Sequence, residues 1–225
     1  MRKLLLTILF LSALSLPAFS DSLTITGSYF MPRGKSDIFD QNKLETTFRT
    51  KDLNGFGAGF RYDHFIGNFV NVGAGVSFFD QNTDVVDNDF ELPNGNQIVR
   101  NIGLQIVPLE VNVHFLPVGR EAPVIPYFGG GAGLYFWDYR ERGDFVQDRL
   151  TNPHVVTGRA DSSGTDGGWH VEGGVQIPFS RSAAAVGEVK YFKANGNLDR
   201  SSFDPSFQPI DLSNVVVSGG VSFWF

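Results

Sequence analysis

The sequence contains no cysteine and only two methionines among its 225 residues. The absence of cysteine excludes a disulfide framework, a thiolate metal site and a cysteine nucleophile. Beyond the N-terminal segment, the chain also lacks any apolar run near the ~20 residues that a membrane-spanning helix needs. If the mature chain enters a membrane, it must therefore do so as a closed barrel of strands that pairs its own backbone groups.

The N-terminal segment has the pattern of an export signal. Arg2 and Lys3 precede an apolar stretch, which is followed by the small-x-small cleavage site Ala18-Phe19-Ser20. The pattern predicts a cleaved signal peptide at residues 1–20 and a mature domain at residues 21–225. Cleavage removes two positive charges, so the net charge moves from -6 to -6 - 2 = -8. An acidic mature chain argues against nucleic acid as a partner.

The last residues of the chain alternate strictly between two kinds of side chain. Successive side chains of a strand point to opposite faces, so this segment is predicted to be a strand with one apolar, aromatic-tipped face and one small, mostly polar face. The apolar face holds Val215, Val217, Gly219, Val221, Phe223 and Phe225, and the other face holds Val216, Ser218, Gly220, Ser222 and Trp224.

The same alternation predicts eight strands and a regular rhythm of connections. Long polar segments follow every odd-numbered strand, and short ones follow every even-numbered strand, near Phe65–Asn68, Leu116–Pro123 and Ser180–Ala183. A sandwich of two sheets would not need every second connection to be long, whereas an up-and-down barrel does. The predicted strands are 22–30, 55–64, 69–79, 101–115, 124–139, 169–179, 184–193 and 212–225, and the long segments are 31–54, 80–100, 140–168 and 194–211.

Within the strands, the alternation predicts an apolar exterior and a polar interior. In the fourth strand, Val111 and Val113 share an apolar face, and Glu110, Asn112 and His114 lie opposite. A soluble barrel would have the reverse arrangement, so the predicted fold is an all-β, eight-stranded antiparallel up-and-down transmembrane β-barrel with short periplasmic turns and long extracellular loops. The fifth strand is apolar on both faces, and the alternation does not assign its inward side.

Three segments are similar in residue pattern to a known family of proteins: Pro126–Gly133, Gly173–Phe179 and Val186–Phe192. Over its whole mature length the chain resembles the eight-stranded outer-membrane barrels of the OmpA, OmpX and OmpW type and the generic outer membrane β-barrel domain. The resemblance implies location in the bacterial outer membrane, contact with its lipid and lipopolysaccharide, and recognition of the terminal Phe225 by the barrel assembly machinery.

The candidate functional residues are the ionisable side chains that the alternation turns inward. Charges of both signs inside a small barrel favour an internal network that fills the lumen, and pairing of the sixth and seventh strands is expected to set Glu172 near Lys190. The alternative, which the OmpW-type resemblance implies, is a narrow channel or a binding pocket for small solutes, hydrophobic ones included. A water-filled or gated path would require the ion pairs to rearrange. The predicted lumen residues are Arg61, Asp63, Glu110, His114, His170, Glu172, Glu188 and Lys190.

An outer-membrane enzyme is the third hypothesis. His170 is predicted near the outer rim, pointing inward, with Glu172 on the same face and Ser162 nearby in sequence. A lipid hydrolase would need such a Ser-His-acid set, but no nucleophile motif surrounds the serine. We therefore expect no enzyme activity.

The long segments are the remaining candidates for a binding function, because binding residues usually lie on loops held by a rigid scaffold. The motif Asp87-x-Asp89-x-Glu91 offers oxygen ligands for calcium but lacks the glycine-containing loop of a calcium site, so we predict no metal and no cofactor. The expected function is a structural or surface-interaction role through the outer loops, with an unidentified extracellular ligand.

Overall fold

The computed structural model of the protein describes residues 21–225, so the predicted signal peptide lies outside the described residues. No helix among the described residues is long and apolar enough to span a membrane. Most of the chain forms strands, which are β1 (Asp21–Pro32), β2 (Gly55–Ile66), β3 (Val70–Glu91), β4 (Gln97–Phe115), β5 (Ile125–Gln147), β6 (His154–Pro178), β7 (Ala183–Gly196), β8 (Ile210–Asp211) and β9 (Asn214–Trp224).

Eight of these strands close into a ring. Each pairs antiparallel with its neighbours, β6 pairs with β7, β7 pairs with β9, and β9 pairs with β1. Two backbone hydrogen bonds complete the seam: the N–H of Asp21 donates to the carbonyl oxygen of Phe225 at 3.1 Å, and the N–H of Phe225 donates back at 3.0 Å. The predicted eight-stranded antiparallel barrel is confirmed, including the pairing of the last strand with the first.

The wall has an apolar outer face and a polar or aromatic inner face. In β4, Val111 and Val113 are exposed, whereas Glu110, Asn112 and His114 are buried inside. A soluble protein would not leave so many large apolar side chains exposed on a continuous surface. The other exposed outward residues include Phe56, Phe60, Leu109, Phe115, Phe128, Leu134, Phe136, Trp169, Val171, Ile177 and Phe223.

The structure also assigns the face of the fifth strand that the sequence left open. Tyr127, Tyr135, Trp137 and Tyr139 of β5 are buried inside the barrel, and Phe128 of the same strand is exposed outside. Its inner face is therefore mostly aromatic, with one buried carboxylate, Glu141, towards the outer end.

The predicted strand and loop boundaries are wrong at the outer end. The segments 80–100 and 140–168 were predicted as loops, but β3 and β4 continue through most of the first, and β5 and β6 through most of the second, as long hairpins. Beyond the membrane both faces of a hairpin meet water, so the apolar-polar alternation that marks a half-buried strand fades. The segments 31–54 and 194–211 do contain irregular structure, together with a helix α1 (Asp37–Glu45), a 3₁₀ helix (Thr50–Leu53) and β8.

The interior is filled in three layers. We call the end with the termini and short turns the base, and the end with the long connections the mouth. The base contains the apolar cluster of Phe65, Leu116, Ile125, Tyr127 and Val186. The predicted charged residues occupy the middle, and a larger apolar cluster fills the mouth, built from Phe30, Phe39, Phe79, Ile106, Tyr135, Trp137, Tyr139, Phe192, Phe203, Ile210, Leu212 and others.

The apolar outer wall predicts that charge will be tolerated differently at two levels of β4. A membrane-crossing strand needs ~9–11 residues, so Val111 lies within the lipid-facing part and Val99 lies on the outer hairpin beyond it. We expect Val111→Arg to lower the free energy of unfolding in lipid vesicles by about 2–4 kcal/mol, and Val99→Arg to have a much smaller effect. Denaturant unfolding of the refolded protein measures both, and equal losses would contradict the assignment of the outer face.

Candidate functional site

The charged layer crosses the lumen from one side of the wall to the other. The Nε of Arg61 on β2 lies 3.0 Å from a carboxylate oxygen of Asp63 and forms an ion pair with it. The Nη1 of Arg61 donates a short hydrogen bond to Glu188 on β7. The same guanidinium lies 3.8 Å from Glu172 on β6. One arginine therefore links carboxylates from three strands.

Lys190 is the second cation of this layer. Its Nζ lies 2.7 Å from Glu110 on β4 and 3.1 Å from Glu172 on β6. The register of β6 and β7 places Glu172 directly opposite Lys190, as the strand assignment predicted. Lys190 and Arg61 together face four carboxylates, those of Asp63, Glu110, Glu172 and Glu188.

Two histidines complete the predicted set. Nε2 of His114 makes a short hydrogen bond with Glu172, and its Nδ1 lies 2.8 Å from the side-chain oxygen of Asn71. His170 lies close to Glu110, at 3.4 Å, and pairs in register with Gly131. The prediction that His170 lies near the outer rim is wrong, because β6 begins at His154 and this places His170 deep in the wall. The structure thus brings all eight predicted lumen residues into one connected cluster.

Four neutral side chains also belong to the cluster. The alternation placed Asn112 on the inner face, but the sequence did not identify Tyr127, Tyr135 or Asn71. The hydroxyl of Tyr127 donates to Glu188 at 2.8 Å and that of Tyr135 donates to Glu110 at 2.9 Å. Asn112 donates to Asp63 at 3.3 Å, and Asn71 contacts His114. The two tyrosines were missed because the fifth strand is apolar on both faces, although Tyr127 and Tyr135 are spaced by an even number of residues and therefore share one face.

The cluster leaves little free space in the lumen. A cavity of about 40 Å³ remains beside it, bounded on the β1 side by Thr24, Thr26 and Ser28. A space of this size holds a few water molecules at most. Hydroxyl groups on the β1 side of the cavity bond to the neighbouring strand β9. The hydroxyls of Ser28 and Ser218 lie 2.8 Å apart, and that of Thr24 donates to Ser222 at 3.1 Å.

Two outer loops close the mouth above the charged layer. The first outer loop (residues 33–54) contributes Ile38 and Phe39 from α1, and Phe39 packs edge-to-face on Tyr139 at 5.8 Å between ring centroids. The fourth outer loop (residues 197–213) contributes Phe203, which lies 5.9 Å from the same tyrosine ring. Burial of these apolar side chains holds both loops in the mouth of the barrel.

A second polar cluster fixes α1 to the rim of the mouth. Asn42 on α1 donates to the hydroxyl of Tyr139 at 2.9 Å and to Glu141 at 2.7 Å. Glu141 also receives a hydrogen bond from Tyr139 at 2.6 Å and from Arg100 at 3.0 Å. The helix is therefore anchored by directional bonds as well as by apolar packing.

A bidentate ion pair joins the two long hairpins. Arg149, at the tip of the β5–β6 hairpin, donates to both carboxylate oxygens of Asp87 on β3, at 2.6 and 3.1 Å, and to Asp89 at 3.2 Å. Burial favours the neutral acid, but the bonds from Arg149 and from the backbone N–H groups of Asp89 and Phe90 together outweigh it and lower the pKa of Asp87. The first two carboxylates of the candidate calcium motif are thus engaged with an arginine. Among residues 21–225, no group of acidic and histidine side chains has a metal-binding arrangement.

An open cleft of about 740 Å³ lies outside the mouth, between α1, the β5–β6 hairpin and the fourth outer loop. We call it the outer cleft. Leu44, Phe145, Val156 and Phe207 supply apolar surface on its walls, and charged side chains of both signs stand around them. Because the cleft is built by the same loops that close the mouth, its shape depends on their packing.

The same architecture occurs in solved structures. The chain is similar to the outer membrane protein OprG from Pseudomonas aeruginosa, with a TM-score of 0.56, 12% identity, and coverage of 92% of this chain and 96% of that one. It is also similar to a major outer membrane protein from Thermus thermophilus, with a TM-score of 0.50, 13% identity, and coverage of 91% and 99%.

At such identities these similarities describe the fold alone. No curated protein matches the sequence. The profile of the family described as "Outer membrane protein beta-barrel domain" matches residues 6–223, which is nearly the whole chain. The closed ring and the apolar outer face are general features of transmembrane β-barrels. The chain therefore belongs to the outer membrane protein beta-barrel domain family, and it is a protein of the bacterial outer membrane.

Proposed function

We propose that this protein is a closed, non-conducting outer-membrane barrel that acts at the cell surface through its outer loops and hairpins. The observation that carries this proposal is the filled lumen. A charged layer links β2, β4, β6 and β7 across the interior, and an apolar layer with two inserted loops lies above it. A barrel of eight strands is just wide enough for side chains to fill, and we infer from these two layers that the lumen is blocked.

The charged layer resists opening because its members depend on one another. Removing Lys190 would take away the cation that lies 2.7 Å from Glu110 and the nearer of two cations at Glu172, which would keep only Arg61 at 3.8 Å. An unpaired buried charge costs several kcal/mol, so spontaneous rearrangement of these pairs is rare. This argument favours a structural role for the eight lumen residues over the alternative of a gated path for small solutes.

We also propose that the protein has no enzyme activity. Neither ring nitrogen of His170 has a hydrogen-bond partner among the described residues. The Oγ of Ser162 instead accepts a hydrogen bond from the backbone N–H of Asp199, at 2.8 Å. A Ser-His-acid system needs a direct bond between the serine and the histidine, and the geometry gives that hypothesis no support.

We further propose that the barrel assembly machinery recognises the C-terminal strand through Phe225. The side chain of Phe225 is 57% exposed, and its backbone groups pair with Asp21 at the seam. An exposed ring on the last residue of the closing strand is accessible before β1 and β9 pair, which supports a role in assembly rather than in packing.

A closed lumen predicts that the refolded protein will not conduct. In planar bilayers we expect the current to stay at the baseline of the lipid alone, while an open porin in the same bilayer serves as the positive control. Steady open-channel steps whose size changes in Glu172→Gln or Lys190→Met would contradict the proposal and favour a charge-lined path through the lumen.

The structural role of the charged layer predicts a large effect of removing its lysine. Lys190→Met should lower the free energy of unfolding by about 3–5 kcal/mol, because Glu110 loses the cation beside it and Glu172 loses the nearer of its two cations. Adding Glu110→Gln to this variant should restore part of the loss. Lys193→Met is the control, since Lys193 is exposed on the outer face of the same strand. Denaturant unfolding measures these values, and wild-type stability of Lys190→Met would contradict a structural role.

The absence of enzyme activity predicts that overexpression leaves the lipid A of the host membrane unchanged. Mass spectrometry of extracted lipid A checks this directly. If the wild-type protein instead removes an acyl chain from lipid A and the His170→Ala variant does not, the protein is a lipid-modifying enzyme.

A role of Phe225 in assembly predicts different outcomes in cells and in vitro. Phe225→Ala should reduce the amount of folded barrel in the outer membrane, measured by heat-modifiable gel migration, yet leave refolding into detergent micelles unchanged. Phe128→Ala is the matched control, because its ring is 58% exposed on the same outer face. An equal loss for both variants in cells would contradict a specific signal at the C-terminus.

A further inference from the structure

The outer cleft combines exposed apolar surface with excess negative charge. On α1, Leu44 is 78% exposed, and Phe145, Val156 and Phe207 face it from the hairpin and the fourth outer loop with part of their surface uncovered. Exposed apolar surface grouped in one concave region is a feature of binding sites rather than of ordinary protein surface.

The charges around this surface do not balance. Five carboxylates line the cleft with only two cationic side chains, and much of this charge is already engaged. Arg100 pairs with Glu141 at 3.0 Å and lies 3.7 Å from Glu45, and Arg159 pairs outside the lining with Asp161 at 2.9 Å. The remaining acidic residues of the lining are Asp37, Asp40 and Asp204.

Two of these three carboxylates have no cationic partner. Asp40 pairs with Lys43 at 2.9 Å, but among residues 21–225 no lysine, arginine or histidine lies within ion-pair distance of Asp37 or Asp204. Both are nevertheless held in place. Asp37 accepts a hydrogen bond from the backbone N–H of Gln208 at 2.9 Å, which ties the first outer loop to the fourth.

Asp204 is held within its own loop by Ser206. The backbone N–H and the hydroxyl of Ser206 donate to its Oδ1 at 2.8 and 2.7 Å. These bonds lower the pKa of Asp204, so the group stays ionised in mildly acidic surroundings. Asp37 and Asp204 thus present fixed negative charge from two loops beside the apolar walls.

We propose that the outer cleft binds a cationic amphipathic peptide segment. Its apolar side chains pack against Leu44, Phe145 and Phe207, and a basic side chain lies between Asp37 and Asp204. Charge complementarity favours this occupant over an anionic one such as a lipopolysaccharide phosphate. It also disfavours a second copy of this chain, whose mature form is itself acidic. The inference rests on the proposed function, because loops that left the mouth to open the lumen would dismantle the cleft.

Peptide binding to the full mature barrel in phosphatidylcholine nanodiscs tests the proposal. The probe is a dye-labelled short peptide of alternating lysine and leucine, compared with a glutamate–leucine peptide and a lysine–serine peptide, with empty nanodiscs as background. Fluorescence anisotropy should show tighter binding of the lysine–leucine peptide than of either comparison peptide. Equal binding of the glutamate–leucine peptide would overturn the charge argument, and equal binding of the lysine–serine peptide would overturn the apolar one.

Two double variants locate the site. Asp37→Asn with Asp204→Asn should raise the Kd of the lysine–leucine peptide about tenfold, as expected for the loss of two exposed charge contacts. Asp84→Asn with Glu91→Gln removes the same charge from the outer part of β3, outside the cleft, and should leave the Kd unchanged. Equal effects of the two pairs would overturn the site in favour of general attraction to an acidic surface. Phe207→Ala should also weaken binding, and an unchanged Kd in this variant would remove the apolar wall from the site.

Conductance of the same preparation separates this inference from the function on which it rests. A silent barrel that does not bind the peptide overturns the cleft alone. A conducting barrel that still binds the peptide overturns the proposal of a closed lumen. It also contradicts the argument that the cleft exists only while the loops close the mouth, but it supports the peptide site.

Discussion

The constraint on which the structure depends is that a backbone N–H or C=O in lipid must find its partner within the chain. In an open sheet the outer edges of β1 and β9 would each leave a row of such groups unpaired, which is why these two strands pair along their length and are joined again at Asp21 and Phe225. A ring closed with eight wall strands has an interior just wide enough for side chains to fill. Closure at this strand number therefore accounts for the filled lumen.

The order of the three interior layers follows from the same constraint. Charged side chains in the middle of the lumen are stable only when paired, and the apolar layers at the base and mouth limit the water that could compete for those pairs. Because four carboxylates face two cations, neutral donors are needed as well, and the hydroxyls of Tyr127 and Tyr135 supply them. Two aromatic residues of β5 thus serve both kinds of layer, because their rings belong to the apolar clusters at the base and mouth while their hydroxyls bond to the charged layer.

The sequence predicted those parts of the structure in which lipid and lumen impose opposite preferences on alternate residues. That is why Glu172 and Lys190 were correctly placed opposite each other, and why the seam between the first and last strands could be predicted. It did not predict the long hairpins, since residues such as Val99 and Arg159 lie where both faces meet water and the alternation loses its meaning. Nor did it predict the insertion of Phe39 and Phe203 into the mouth, because one or two apolar residues in a polar loop give no period to detect.

The inserted loops change what kind of recognition this surface supports. Free loops would have to be ordered on binding and would lose conformational entropy at that moment. Here Asn42 fixes α1 to Glu141, and Arg149 joins the β5–β6 hairpin to Asp87 on the neighbouring one, so much of that ordering has already occurred during folding. The apolar walls and the two carboxylates without cationic partners therefore keep a fixed spacing. A fixed spacing favours a ligand with a defined pattern of charge and apolar side chains over a flexible polyelectrolyte, and for this reason we place specificity in the outer cleft rather than in the net charge of the surface.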